Sequence, residues 1–134
     1  ILTTGALFTW GLNTTGRLGL NDTINRSSPT QIGTSSWTKV NSGAAITTTN
    51  LGYVWGNNNN GQLSLGDTTK RSSPVQVGAL STWTAVSCGY RYTLALQTPG
   101  TLWSWGNNSW GQLGTSNQTN YLSIQKKKGF ISQI

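Results

Sequence analysis

One ten-residue pattern occurs three times, and it constrains what the rest of the chain can fold into. Trp10-Gly11-Leu12-Asn13-Thr14-Thr15-Gly16-Arg17-Leu18-Gly19 is the first copy. Trp55-Gly56-Asn57-Asn58-Asn59-Asn60-Gly61-Gln62-Leu63-Ser64 is the second, and Trp105-Gly106-Asn107-Asn108-Ser109-Trp110-Gly111-Gln112-Leu113-Gly114 is the third. All three read W-G-x-N-x-x-G-[Q/R]-L. The flanks keep register: residues 26–33 match 71–78, and residues 37–43 match 83–89. Self-similarity of this kind marks an array of one supersecondary unit, each copy too small to bury its own apolar face. Gly43 to Trp55 is 12 residues whereas Gly89 to Trp105 is 16, so the middle copy has a hairpin four residues shorter.

Within a copy, Phe8 and Trp10 are two apart and share one strand face, as do Tyr53 with Trp55 and Trp103 with Trp105. Recurring aromatic pairs predict a packing layer between neighbouring units. Trp10, Gly11, Asn13 and Gly16 then form turn chemistry, with Trp55, Gly56, Asn58 and Gly61 and with Trp105, Gly106, Asn108 and Gly111 as the equivalent sets. We read all twelve as structural. Residues 20–29 and 65–74 are polar surface loops. Their Asn21, Asp22, Arg26, Asp67, Lys70 and Arg71 are the candidate partner-contact residues, expected to emerge on one rim. Further on, Trp83 and Val86 are expected on opposite strand faces, and Tyr90, Tyr92, Leu94 and Leu96 on one. A sheet apolar on both faces must be covered on both, and radial stacking of blades does that. The chain is therefore all-β and a partial β-propeller of about two to three blades, with repeats at roughly 5–51, 52–99 and an incomplete 100–134.

Charge narrows the chemistry. Nine Lys and Arg stand against two acids, Asp22 and Asp67, for a net charge of +7, and there is no histidine. General acid–base catalysis lacks its usual actors, so no enzyme activity, cofactor or metal site is expected. The excess of cations, including Lys126-Lys127-Lys128, makes nucleic acid an alternative partner. Cys88 is the single cysteine, expected small, buried and unreactive. No apolar run is long enough for a membrane span. The chain has no methionine, and it starts and stops inside a repeat. A piece of a longer polypeptide is expected on that ground. The apolar ends, Ile1-Leu2 and Phe130-Ile131, would be covered by further blades or by other copies in a homo-oligomer.

The residues 105–114 and Cys88-Gly89-Tyr90-Arg91-Tyr92-Thr93-Leu94-Ala95-Leu96 resemble the regulator of chromosome condensation repeat family. That resemblance implies a propeller of seven blades in the complete ring. The family's histidine position falls on Tyr92, and on Ile46 or its neighbours in the shortened copy. The founding member's activity, guanine-nucleotide exchange on a small GTPase together with chromatin binding, is a second functional alternative. The reading favoured by the residues is a non-catalytic binding or structural module. Its partner would be a protein or polysaccharide surface, in an extracellular or virion setting such as an adhesin or fibre.

Overall fold

The computed structural model describes residues 1–126 of the 134. Ten strands follow in order: β1 (Phe8–Gly11), β2 (Arg26–Gln31), β3 (Trp37–Asn41), β4 (Ala44–Thr47), β5 (Gly52–Gly56), β6 (Arg71–Gln76), β7 (Trp83–Gly89), β8 (Tyr92–Gln97), β9 (Thr101–Gly106) and β10 (Tyr121–Lys126). No helix occurs among the described residues. Neighbours pair antiparallel in chain order, giving a β1-β2 sheet, a β3-β4-β5-β6 sheet and a β7-β8-β9-β10 sheet. This is an arc of a propeller, with two four-stranded blades and a two-stranded portion of a third. Lys127, Lys128 and the Phe130-Ile131 pair lie outside the described residues. Sequence period and sheets are offset: β4 and β5 flank the repeat boundary at 51–52, yet they pair in one sheet. Each complete blade is thus closed by strands from two successive repeats. Pro29 and Pro74 sit in β2 and β6, edge strands where a missing N–H does not break a ladder.

Blades meet through a tryptophan face. Trp37, Ala45 and Trp55 of the second sheet cluster with Leu7 and Ile32, which flank β1 and β2 of the first. Trp83, Ala95 and Trp105 of the third cluster with Ile46 of the second. The indoles contact edge to face, Trp37 with Trp55 at 6.2 Å and Trp83 with Trp105 at 6.4 Å between centroids. Two of the three motif tryptophans also donate their indole N–H to the preceding copy: Trp55 to the Arg17 carbonyl at 3.0 Å, Trp105 to the Gln62 carbonyl at 2.8 Å. The first residue of one motif is therefore bonded to the eighth residue of the motif before it. Trp10 departs from the expected layer. It is 60% exposed, because among the described residues no sheet lies against its face.

One expectation from strict alternation is overturned by a bulge, while Tyr92, Leu94 and Leu96 keep the shared face expected of them. Pairing shifts between Trp83 and Ala85, and equally between Trp37 and Lys39. The extra residue brings Val86 opposite Ala95, onto the tryptophan side rather than away from it. On β8 the buried residues are the small Thr93 and Ala95, which leave room for the indoles, whereas Leu96 is exposed and Tyr90 lies in the turn.

The short hairpin is placed by pairing. β3–β4 closes at Asn41 opposite Ala44, and β7–β8 at Gly89 opposite Tyr92. Counted from the motif tryptophan, Ala44 opposite Val54 stands level with Leu94 opposite Ser104. Ser42 and Gly43 then stand level with Tyr92 and Thr93, and residues 88–91 have no counterpart. Gly43 is a turn residue and not the equivalent of Gly89. Ile46 stands level with Leu96, so Ser42 takes the position first assigned to Ile46 or its neighbours.

Candidate functional site

The β3–β4 and β7–β8 turns and the loops after β1, β5 and β9 leave the sheets at the same end of their strands, so they form one face. The three long loops share an internal frame. Asn13, Asn58 and Asn108 are fully buried. Each side-chain oxygen accepts the backbone N–H five residues on, from Leu18, Leu63 and Leu113, at 2.9, 3.0 and 2.9 Å. Each amide donates to the carbonyl nine residues on, of Asp22, Asp67 and Asn117, at 3.0, 2.9 and 2.8 Å. One side chain thereby pairs backbone groups that the loop would otherwise leave unsatisfied.

The candidate rim residues lie in two successive corresponding loops, and four of them, Asp22 with Asp67 and Arg26 with Arg71 in equivalent places, serve that frame. The Asp22 carboxylate accepts the Ile24 N–H and the Arg26 guanidinium, the latter at 2.5 Å. Asp67 accepts the Thr69 N–H and the Arg71 guanidinium, at 2.9 and 2.7 Å. The Asp22 pKa is lowered chiefly by the Ile24 backbone hydrogen bond and then by Arg26. That of Asp67 is lowered chiefly by Arg71 and then by Thr69. The third loop does the same without charge, Asn117 accepting the Thr119 N–H and donating to the Tyr121 hydroxyl, each at 3.0 Å. Asn21, at φ 64°, donates its backbone N–H to the Ser72 carbonyl of the next blade at 2.7 Å, and its side chain is exposed. Lys70 is exposed and forms no ion pair among the described residues.

Beside this rim lies a recess of about 480 Å³. Its floor is the Ser42-Gly43 turn, and the longer β7–β8 hairpin forms one wall. Thr15 and Arg17 close the opposite side, with residues of the 57–63 loop between. Arg17 and Arg91 line it, and no carboxylate does. Arg91 adopts φ 67° and sets its guanidinium 4.7 Å from the centre of the Tyr90 ring. Tyr90 is 79% exposed at this hairpin tip, and Trp110, on the same face, is 88% exposed. Cys88 also borders the recess, half-buried, its thiol pushed up to about 11 by desolvation. It therefore stays protonated and weakly nucleophilic at neutral pH.

Arg17, Tyr90, Arg91 and Trp110 were not singled out by the sequence. Their signal was departure from the repeat. Arg17 stands where the other copies have Gln62 and Gln112, and Trp110 stands where they have Thr15 and Asn60. Among the described residues no group of three or more His, Cys, Asp or Glu is placed to hold a metal ion. No helix of the described residues is long and apolar enough to cross a membrane.

The model of the regulator of chromosome condensation (RCC1) repeat matches residues 4–49, 53–96 and 99–128, and a second RCC1 repeat model matches residues 83–112. No curated protein matches the chain by sequence. Among solved structures, human WBSCR16 is similar with a TM-score of 0.83 and 21% identity, over 96% of this chain and 34% of that one. Prp20p from Saccharomyces cerevisiae gives 0.80 and 16%, over 96% and 35%. Yeast RCC1 (Prp20) in its structure with Kap60 gives 0.82 and 15%, over 96% and 34%. The chain thus spans about a third of the length of these proteins, and at such identities the likeness is one of fold.

Proposed function

Since this chain belongs to the regulator of chromosome condensation (RCC1) repeat family, we propose that it is a non-catalytic binding module whose loop face docks a protein partner. The observation that carries this reading is the exposure of Trp110 and Tyr90 at the tips of that face. On the same face the cations Arg17, Lys70 and Arg91 have no carboxylate partner among the described residues. Tryptophan, tyrosine and arginine are the residues that dominate binding energy at protein interfaces. The unpaired cations favour an acidic surface. Both aspartates are engaged within their own loops, which supports a role other than catalysis. The structure of Prp20p is described together with its binding to Gsp1p and histones, and another shows yeast RCC1 with Kap60 bound. Protein recognition by such a propeller is consistent with both. Low charge and loops rich in Asn, Thr and Ser support placing the module in a surface or virion protein, as an adhesion or fibre component.

Asn21 and Lys70 remain partner contacts in this reading. Arg26 and Arg71 do not suit a test of it, because reversing their charge would open the loops they clamp. The test is affinity capture with the chain as bait, compared with bait carrying Trp110→Ala and Lys70→Glu and matched for thermal melting. A protein retained by the first bait and lost from the second is expected. Identical retention by both would contradict the proposal. Capture of nucleic acid instead, falling steeply with salt, would favour the alternative partner.

A further inference from the structure

We propose that the recess over the short β3–β4 hairpin is a binding site for an acidic sugar unit, its carboxylate held by Arg17 and Arg91. This site stands on the recess alone and does not require the protein-docking reading. The recess exists because the middle blade lacks the counterpart of residues 88–91, while the neighbouring β7–β8 hairpin keeps its full height. Its volume, about 480 Å³, lies in the range of small-molecule sites, roughly 300–1,000 Å³.

Its lining is rich in unanswered donors. Arg17 makes a single long contact, from Nε to the Thr15 hydroxyl at 3.4 Å. Among the described residues the side-chain amide nitrogens of Asn57 and Gln62 have no acceptor. In the next copy the equivalent groups answer each other, Gln112 Nε2 donating to Asn107 Oδ1 at 2.6 Å. The middle loop therefore presents to the recess the amides that its neighbour ties up. Arg91 adds a second guanidinium from the wall, one nitrogen donating to the Tyr90 hydroxyl at 2.9 Å and the others without an acceptor among the described residues, in a backbone conformation that glycine would adopt more easily. Two planar guanidinium groups with no carboxylate nearby match a ligand carboxylate. Amide donors and the Tyr92 ring on the wall suit the hydroxyls and the apolar face of a pyranose.

Saturation-transfer NMR reads the ligand rather than the protein, so it works on monomer and assembly alike. Glucuronate is the probe, with glucose as the ring lacking the carboxylate and N-acetylglycine as the carboxylate lacking the ring. Glucuronate is expected to bind at millimolar concentration and the other two at least about tenfold more weakly, the factor for one lost charge-assisted hydrogen bond. Arg17→Gln with Arg91→Gly should weaken glucuronate by a similar factor or more. Inserting the sequence of residues 88–91 between Asn41 and Ser42 should fill the recess and abolish binding, with cooperative melting retained. Should that insertion unfold the chain, the arginine pair decides. No transfer to glucuronate, equal transfer to either comparison ligand, or binding unchanged in the arginine variant would each overturn the proposal.

Discussion

Asn13, Asn58 and Asn108 show what a single buried side chain does in this array. Each binds its loop at two points, five and nine residues on, and the residue at the second point holds another four residues beyond it. The spacing is constant in all three copies, but the charge is not: Asp22–Arg26 and Asp67–Arg71 give way to Asn117–Tyr121. The aspartates matter as acceptors more than as anions. Their pKa values are lowered from 3.8, so the folded state favours the charged form. Their contribution is complete above the unfolded value and is lost as pH falls through the lowered one. Melting temperature should therefore drop on acidification below about pH 4. Asp22→Asn with Asp67→Asn should keep the loops folded, as Asn117 does, and flatten that acid dependence. An unchanged slope in a series of thermal melts would show that the clamps are not what titrates.

At the scale of strands and blades, the conserved form of the motif is explained by contacts between copies rather than within one. Trp55 and Trp105 reach back to the preceding loop. Gly16 and Gly61 reach forward: a Cβ there would lie 2.6 Å from the Ser72 Cα and 2.8 Å from the Leu122 Cα of the following blade. Gly111 has nothing within 4 Å, as no further sheet follows it among the described residues. Trp55→Ala should cost about 3–5 kcal/mol by denaturant unfolding. Trp10→Ala in the same chain should change stability by less than about 0.5 kcal/mol. Equal losses would mean that the tryptophans act within blades.

Much of this architecture was legible in the sequence. Aromatic pairs at a spacing of two gave the packing layer, and counting from Gly43 and Gly89 to the next motif tryptophan gave the length of the shortened hairpin. What failed was strict alternation across the bulge after Trp83, where one extra residue changes the face of everything after it. Gly43 misled for a related reason: it shares its identity with Gly89 but serves in a turn. The rim was found as a set of loops, but only distances separate Arg26 and Arg71, which clamp, from Lys70, which is exposed. The recess is made by residues that are absent, so no motif could announce it.

For the molecule as a whole, each interior blade is covered on one face by the tryptophans of its successor and on the other by the blade before. Among the described residues the two outer faces of the arc have no such cover. Trp10 and Leu12 are exposed on the first, and Leu96 on the last. Repeat arrays rely on polar caps at such ends, and uncovered apolar faces on this scale drive association. Every blade is built to receive another through the W-G motif. Sedimentation velocity on the 134-residue chain across a concentration series tests it most directly. Self-association that deepens with concentration, and weakens when Trp10 is replaced by a charged residue, is the predicted result. A monodisperse monomer with a cooperative melt at every concentration would contradict it.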